Sequence, residues 1–193
     1  MSVVSKNTEA VLRQFAERVV KAAKLNLGAT RTITYNDGKK KRRRQVSSGK
    51  LKDSLDYNIT TGVHLLMSFT MEDYGKFIDE GVSGTKYKVP GGSRFGFGAS
   101  ASKGEPTRLE SIKKWMKTKN IKARDLKTKS FVKQTDANID KAAFLISRSI
   151  KQKGIPKSEF FQAPFRMEFA KLPEEVLKAV SMDVDEFLKF TKR

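Results

Sequence analysis

Six consecutive cations, Lys39, Lys40, Lys41, Arg42, Arg43 and Arg44, are the densest chemistry in the sequence. Ammonium and guanidinium groups in a row hold phosphates or carboxylates, and they do so without reading base sequence. Like charges this close repel one another, which favours an extended, solvated segment that orders on meeting an anion. Asn36-Asp37-Gly38 stands immediately before the run and is a tight-turn signal. The run is therefore expected either as the return arm of a hairpin or as a mobile loop. Either way it is the expected surface for DNA or an acidic partner.

Catalytic chemistry has little to build on. His64 is the single histidine, and no Ser-His-Asp arrangement assembles around it. There are no cysteines, which excludes disulfides, thiolate zinc sites and a cysteine nucleophile. Asp73, Asp79 and Glu80 are the carboxylates that could gather around Mg²⁺ in a nuclease-like site. Short helices carry such acids routinely for solvation and capping, and that is the simpler reading. Gly96, Gly98 and Ala101 match a dinucleotide-binding spacing, but Pro90-Gly91-Gly92-Ser93-Arg94 stands where a buried strand is required. Gly81 to Lys86 lacks the spacing of a phosphate-binding loop. The expectation is a protein without catalysis, cofactor or metal.

The elements that must position the basic run follow from periodicity. Leu12, Phe15, Ala16, Val19, Ala23 and Leu27 recur at helical spacing, so a helix is expected from about Thr8 to Leu27. Asn7 or Thr8 is its expected cap and Gly28 its stop. Thr30 to Tyr35 reads as a strand. Lys50 to Leu55 reads as one or two helical turns. Tyr57 to Thr61 and Leu65 to Met71 read as strands, and Asp73 to Glu80 as a short helix. Val82 to Pro106 is rich in Gly, Ser and Lys and reads as a long exposed loop.

Thr107-Arg108-Leu109-Glu110 has capping-box spacing. A helix is expected from there to Lys117, burying Leu109, Ile112, Trp115 and Met116. Lys117 to Lys133 reads as a basic excursion. Asp136 to Lys151 reads as a helix with an Ile139, Ala142, Ala143, Ile146 and Ile150 stripe. Phe160, Phe161, Pro164 and Phe165 form an aromatic patch. The last helix, Pro173 to Phe190, has Val176, Leu177, Val180, Val184, Phe187 and Leu188 on one face. Helices and strands without regular alternation indicate an α+β fold. The expected form is a small antiparallel sheet with the long N-terminal helix packed on it, extra helices in an insertion and a C-terminal helix.

Composition sets the bounds. The chain has 193 residues, room for one domain with elaborations or two small ones; 38% of them are hydrophobic and 32% charged, enough for a modest core under a heavily solvated surface. Its net charge of +19 calls for a polyanion or an acidic neighbour. The positive field belongs to the middle of the chain, because the acids after Leu172 nearly offset the lysines there. No apolar run approaches the roughly 20 residues that span a bilayer. The first ten residues lack the apolar core of a secretion signal. A soluble intracellular product is expected.

Three stretches carry a family resemblance. Ser48-Gly49-Lys50-Leu51-Lys52-Asp53-Ser54-Leu55 is the first. Tyr74-Gly75-Lys76-Phe77-Ile78-Asp79-Glu80-Gly81, running on to Gly84, is the second. Phe160-Phe161-Gln162-Ala163-Pro164-Phe165, before the final helix, is the third. In this order, behind a leading amphipathic helix, they resemble the HK97 gp10-like family of tailed-bacteriophage neck, head–tail connector and tail-completion proteins. The chain departs from that family in its basic run, which stands where the family often has Pro-x-x-Thr, and in the absence of an aromatic between Glu80 and Gly81. A long stretch, roughly 86–153, separates the second and third motifs. It is expected as an insertion in a single α+β domain.

The resemblance implies a virion structural protein, assembled in the host cytoplasm. Its place would be a ring at the neck, joining portal or adaptor to tail. Its partners would be further copies of itself, the portal or adaptor and tail proteins, and packaged DNA, with no membrane. Among the motif residues, Gly49 and Gly81 are expected to permit turns, and Leu51, Leu55, Tyr74 and Phe77 to pack the core. Ser54, Pro164 and Phe165 belong to the same framework. Glu80 is either a subunit contact paired with a basic neighbour or a solvated acid. The competing reading is a non-specific nucleic-acid-binding protein, which requires aromatics interleaved with cations. The basic run holds none. Tyr87, Arg94, Phe95 and Phe97 come closer.

Overall fold

The N-terminal helix, α1 (Lys6–Gly28), organises the first part of the computed structural model, which describes residues 6–44, 49–60, 65–98, 108–125, 128 and 130–191. Further elements are β1 (Thr30–Thr34), β2 (Lys40–Arg44), α2 (Lys50–Asp53), β3 (Asp56–Thr60), β4 (Leu66–Thr70), α3 (Gly75–Glu80) and β5 (Val82–Ser83). They are followed by α4 (Arg108–Thr118), α5 (Asp136–Lys153), β6 (Gly154–Ile155), α6 (Gln162–Phe169) and α7 (Leu172–Thr191). The fold is α+β, and the strands pair two by two as β1–β2, β3–β4 and β5–β6. His64 lies outside the described residues, as does Thr107 and with it the start of the expected capping box.

The chain divides into two units. The first draws on Met1–Ile33, Lys41–Asp79 and Ser158–Arg193. The second draws on Thr34–Lys40 and Glu80–Lys157, which contains the stretch expected as an insertion.

In the first unit, α1 buries Phe15, Ala16, Val19, Val20, Ala23 and Leu27, the stripe its periodicity specifies. β3 and β4 are antiparallel with Tyr57 opposite Phe69 and Ile59 opposite Met67. Those four are half-buried, while their neighbours along each strand face solvent, as a two-residue period requires. Phe69 meets Phe15 edge-on at 6.3 Å and Phe161 at 5.3 Å. Each fully buried side chain of this size, Phe15, Leu27, Leu55 and Phe160 among them, favours folding by about 1.5–3 kcal/mol.

Two expectations for this unit need correction. Asn7 and Thr8 lie inside α1. The carboxylate of Asp183 on α7 accepts their backbone N–H groups, at 3.1 Å each, and so fills the capping role. On α7 itself, Leu172 and Ala179 are buried and Val176 is half-buried, packed with Phe15 and Val19. Leu177, Val180, Val184, Phe187 and Leu188 are exposed. The helix is apolar over a wider arc than α1 covers.

In the second unit, α4 and α5 pair through Ile112, Met116 and Ala143, with Leu109, Ile146 and Ile150 around them. Trp115, expected in this core, is 45% exposed, because α5 covers only the Ile112–Met116 stripe of α4. The segment after Gly81 is largely the loop its composition suggests, but it is not exposed throughout. Val82, Ser83, Gly84 and Val89 are buried. The N–H groups of Thr85 and Lys86 donate to the carbonyls of Lys151 and Gln152, satisfying the C-terminal end of α5. Gly84 lies so close to the Gln152 carbonyl that no Cβ fits. The glycine that suggested a loop here permits backbone packing. Residues 99–107 of that stretch lie outside the described set.

Candidate functional site

The basic run is an ordered hairpin arm. Its turn closes with the Tyr35 N–H donating to the Lys39 carbonyl at 2.8 Å and the Gly38 N–H to the Tyr35 carbonyl at 2.9 Å, with Gly38 at a φ of 78°. Asn36 anchors this turn within the second unit. Its amide donates to the carbonyls of Val82 and Lys153, at 3.1 and 2.8 Å. Asp37 pairs with the Lys153 ammonium at 2.9 Å. That hydrogen bond holds the Asp37 carboxyl below its ordinary range and raises Lys153.

From this turn, Lys39, Lys40, Lys41 and Arg42 run on in exposed positions, and β2 continues through Arg43 and Arg44. Successive side chains of a strand point to opposite faces, so the arm offers cations on both sides. Strand pairing fixes the backbone that carries Lys40, Lys41 and Arg42, which lowers the entropy an anion must overcome on binding.

The motif residues form a different kind of site. Gly49 stands at the N-cap of α2 with a φ of 88°, a left-handed conformation that glycine adopts without strain. Leu51 and Leu55 are buried. Ser54 Oγ accepts the Glu72 N–H at 3.0 Å and donates to the Leu51 carbonyl at 3.2 Å, fastening α2 to the segment ahead of α3. Tyr74 does not enter the core: it is 40% exposed at the head of α3, and its phenol is raised by desolvation. Phe77 is half-buried with Lys76 over its ring, and the core contact of α3 is made by Ile78. Pro164 is buried, and Phe165 meets Phe15 edge-on at 5.8 Å.

Asp79, which the sequence alone presents as a routine helix acid, holds the framework together. It is only 4% exposed. Its carboxylate accepts the N–H of Phe161 at 2.8 Å and that of Gln162 at 3.3 Å, and its backbone carbonyl accepts from Glu159. α6 has Phe161 at its N-cap with no side-chain cap of its own. Asp79 supplies that cap from α3. The signal was present in the sequence: a helix beginning at Phe-Phe-Gln has no local Ser, Thr, Asp or Asn to receive its first N–H groups.

Glu80 pairs with Arg94 at 2.6 Å, and the Arg94 guanidinium lies 5.0 Å from the Phe95 ring centroid. Among the described residues, no three His, Cys, Asp or Glu side chains gather as a metal site. With both Asp79 oxygens turned to backbone N–H groups, the carboxylates Asp73, Asp79 and Glu80 do not converge on a cation. No helix among the described residues is long and apolar enough to cross a membrane. Compared with known proteins, the chain matches no family model, no curated protein and no solved structure.

Proposed function

We propose that this protein is a non-catalytic structural subunit of a tailed-phage virion, acting in a ring at the neck that joins portal or adaptor to tail. The observation that carries this reading is the convergence of the three resembling stretches. Leu51 and Leu55 from the first, Ile78 from the second, and Phe160 and Phe161 from the third pack into one cluster with Val20, Ala23 and Leu27 of α1. Asp79 then ties the second stretch to the third. Segments matched by short motifs and their order thus act as one framework, as expected if the resemblance reflects a shared core.

Two surfaces fit the role. The cationic arm Lys39–Arg44 suits the DNA channel or an acidic adjoining ring. The exposed apolar face of α7 suits contact between copies. The competing reading is a non-specific nucleic-acid-binding protein, and it draws on the same cations. Immunogold electron microscopy of tailed particles that carry this chain separates the two. Label at the head–tail junction is expected. Particles that stay unlabelled both intact and disrupted would overturn the neck reading and favour the competitor.

A further inference from the structure

Between α4 and α5 the second unit carries a small antiparallel ribbon. Arg124 is bridged to Phe131, the Asp125 N–H donates to the Ser130 carbonyl at 2.9 Å, and the Val132 N–H donates to the Ala123 carbonyl at 3.2 Å. Ala123 is buried and anchors the ribbon. Phe131 is 61% exposed. The Arg124 guanidinium lies 4.4 Å from its ring centroid and the Lys122 ammonium 5.9 Å from it. Beside the ribbon opens a cleft of about 340 Å³ lined by Arg124, Asp125, Val132, Asn138, Lys141 and Leu145.

We propose that this ribbon and its cleft form a stacking site for single-stranded nucleic acid. An isolated exposed phenylalanine needs no explanation. This one is held by backbone bonds on both sides and carries cations at its ring. A flat ring for a base, with fixed cations near it for phosphates, is the arrangement that single-strand binders use. Lys119, Lys122, Lys133 and Lys141 are all exposed around it and extend the positive surface. The one carboxylate in the cleft, Asp125, is turned to the N–H and hydroxyl of Thr128, at 2.8 and 3.2 Å.

The aromatic plane is what favours unpaired bases over other polyanions. Duplex DNA hides its base faces, and an acidic peptide has none, so for either ligand Phe131 would add little. Stacking also tolerates any base, so little sequence preference is expected. The site shares no residue with the Lys39–Arg44 arm and does not rest on the neck reading: particle labelling and oligonucleotide binding succeed or fail independently.

The test is fluorescence anisotropy on the full chain with labelled oligo-dT, set against a duplex of equal charge, inorganic polyphosphate and polyglutamate. Phe131→Ala should weaken oligo-dT binding about tenfold and leave the other three ligands unchanged. Phe131→Trp in a Trp115→Phe background should keep oligo-dT affinity and show saturable quenching of the new indole. Far-UV circular dichroism confirms folding of each variant. The proposal is overturned if oligo-dT does not bind, if Phe131→Ala changes all ligands equally or none, or if the indole stays unquenched at saturation.

Discussion

The Asp79 carboxylate receives the Phe161 backbone N–H at 2.8 Å across 82 residues of sequence. One buried acid therefore starts a helix in a distant segment, and α6 depends on α3 for its first turn. Asp79→Ala leaves those N–H groups without an acceptor inside the protein. A loss of about 2 kcal/mol is expected, read by urea unfolding. Asp79→Asn, which keeps an acceptor oxygen, should lose less. An alanine variant as stable as the parent would show that the cap contributes nothing.

Glycine at position 81 is needed for two reasons. Its φ is 74°, and an added Cβ would lie 2.8 Å from the Lys157 nitrogen and 2.9 Å from the Ile155 carbonyl oxygen. Gly91 has a φ of 76° with open space around it. Gly91→Ala should cost about 1 kcal/mol from backbone conformation alone. Gly81→Ala should cost clearly more. Thermal melts of both variants give the comparison, and equal shifts would remove the steric argument.

Arg18 links α1 to α6 and α7 through Glu168 and Glu175, each at 2.7 Å. The Arg18 hydrogen bond is the main reason that Glu168 lies below its ordinary value of 4.5. A carboxyl lowered in the folded state stabilises the fold above its unfolded pKa. That contribution fades as pH falls below about 4.5 and is gone once the folded pKa is passed. Glu168→Gln should flatten the acid limb of a stability–pH curve measured by urea unfolding. A limb as steep as that of the parent would assign acid sensitivity to other groups.

If the Lys39–Arg44 arm holds DNA, affinity should fall steeply with salt. Changing Lys39, Lys40, Lys41 and Arg42 to glutamine should then reduce the slope of log K against log salt by about 0.9 for each phosphate that is no longer neutralised. Binding to duplex DNA, titrated from low to moderate salt, reads this directly. An unchanged slope would show that the arm does not touch DNA.

The outward face of α7 makes a prediction about assembly. Leu177→Glu with Val184→Glu places charge on exposed positions, so monomer stability should change by less than about 0.5 kcal/mol. Self-association, followed by sedimentation velocity, should be abolished. Undiminished oligomers would place the interface between copies elsewhere.

Much of this fold is readable from the chain. The 3.6-residue stripe Phe15–Leu27, the two-residue alternation about Tyr57 and Phe69, and the Asn-Asp-Gly turn before Lys39 each express a local rule, and each forms as expected. The failures share a cause. Trp115, Tyr74 and Leu177 lie on apolar faces, yet they stay at least 40% exposed because neighbouring elements cover only part of each face. The glycine and polar content of Val82 to Val89 predicts an exposed loop, yet α5 and β6 supply backbone partners that bury Val82, Ser83 and Gly84 within it.

By itself the sequence determined the longer helices and the β3–β4 strands, where the charge lies and where glycine must stand, but not α6, β5 or β6. Periodicity, turn chemistry and like-charge repulsion act over a few residues and need no partner. Only the tertiary structure decided which apolar stripe is covered and where the carboxylates of Asp79 and Asp183 go. It alone brought the Arg124 guanidinium over the Phe131 ring. Those outcomes depend on packing between segments far apart in the chain, where a buried acid finds whatever N–H groups are left unpaired and a side chain is buried only if another element arrives to cover it.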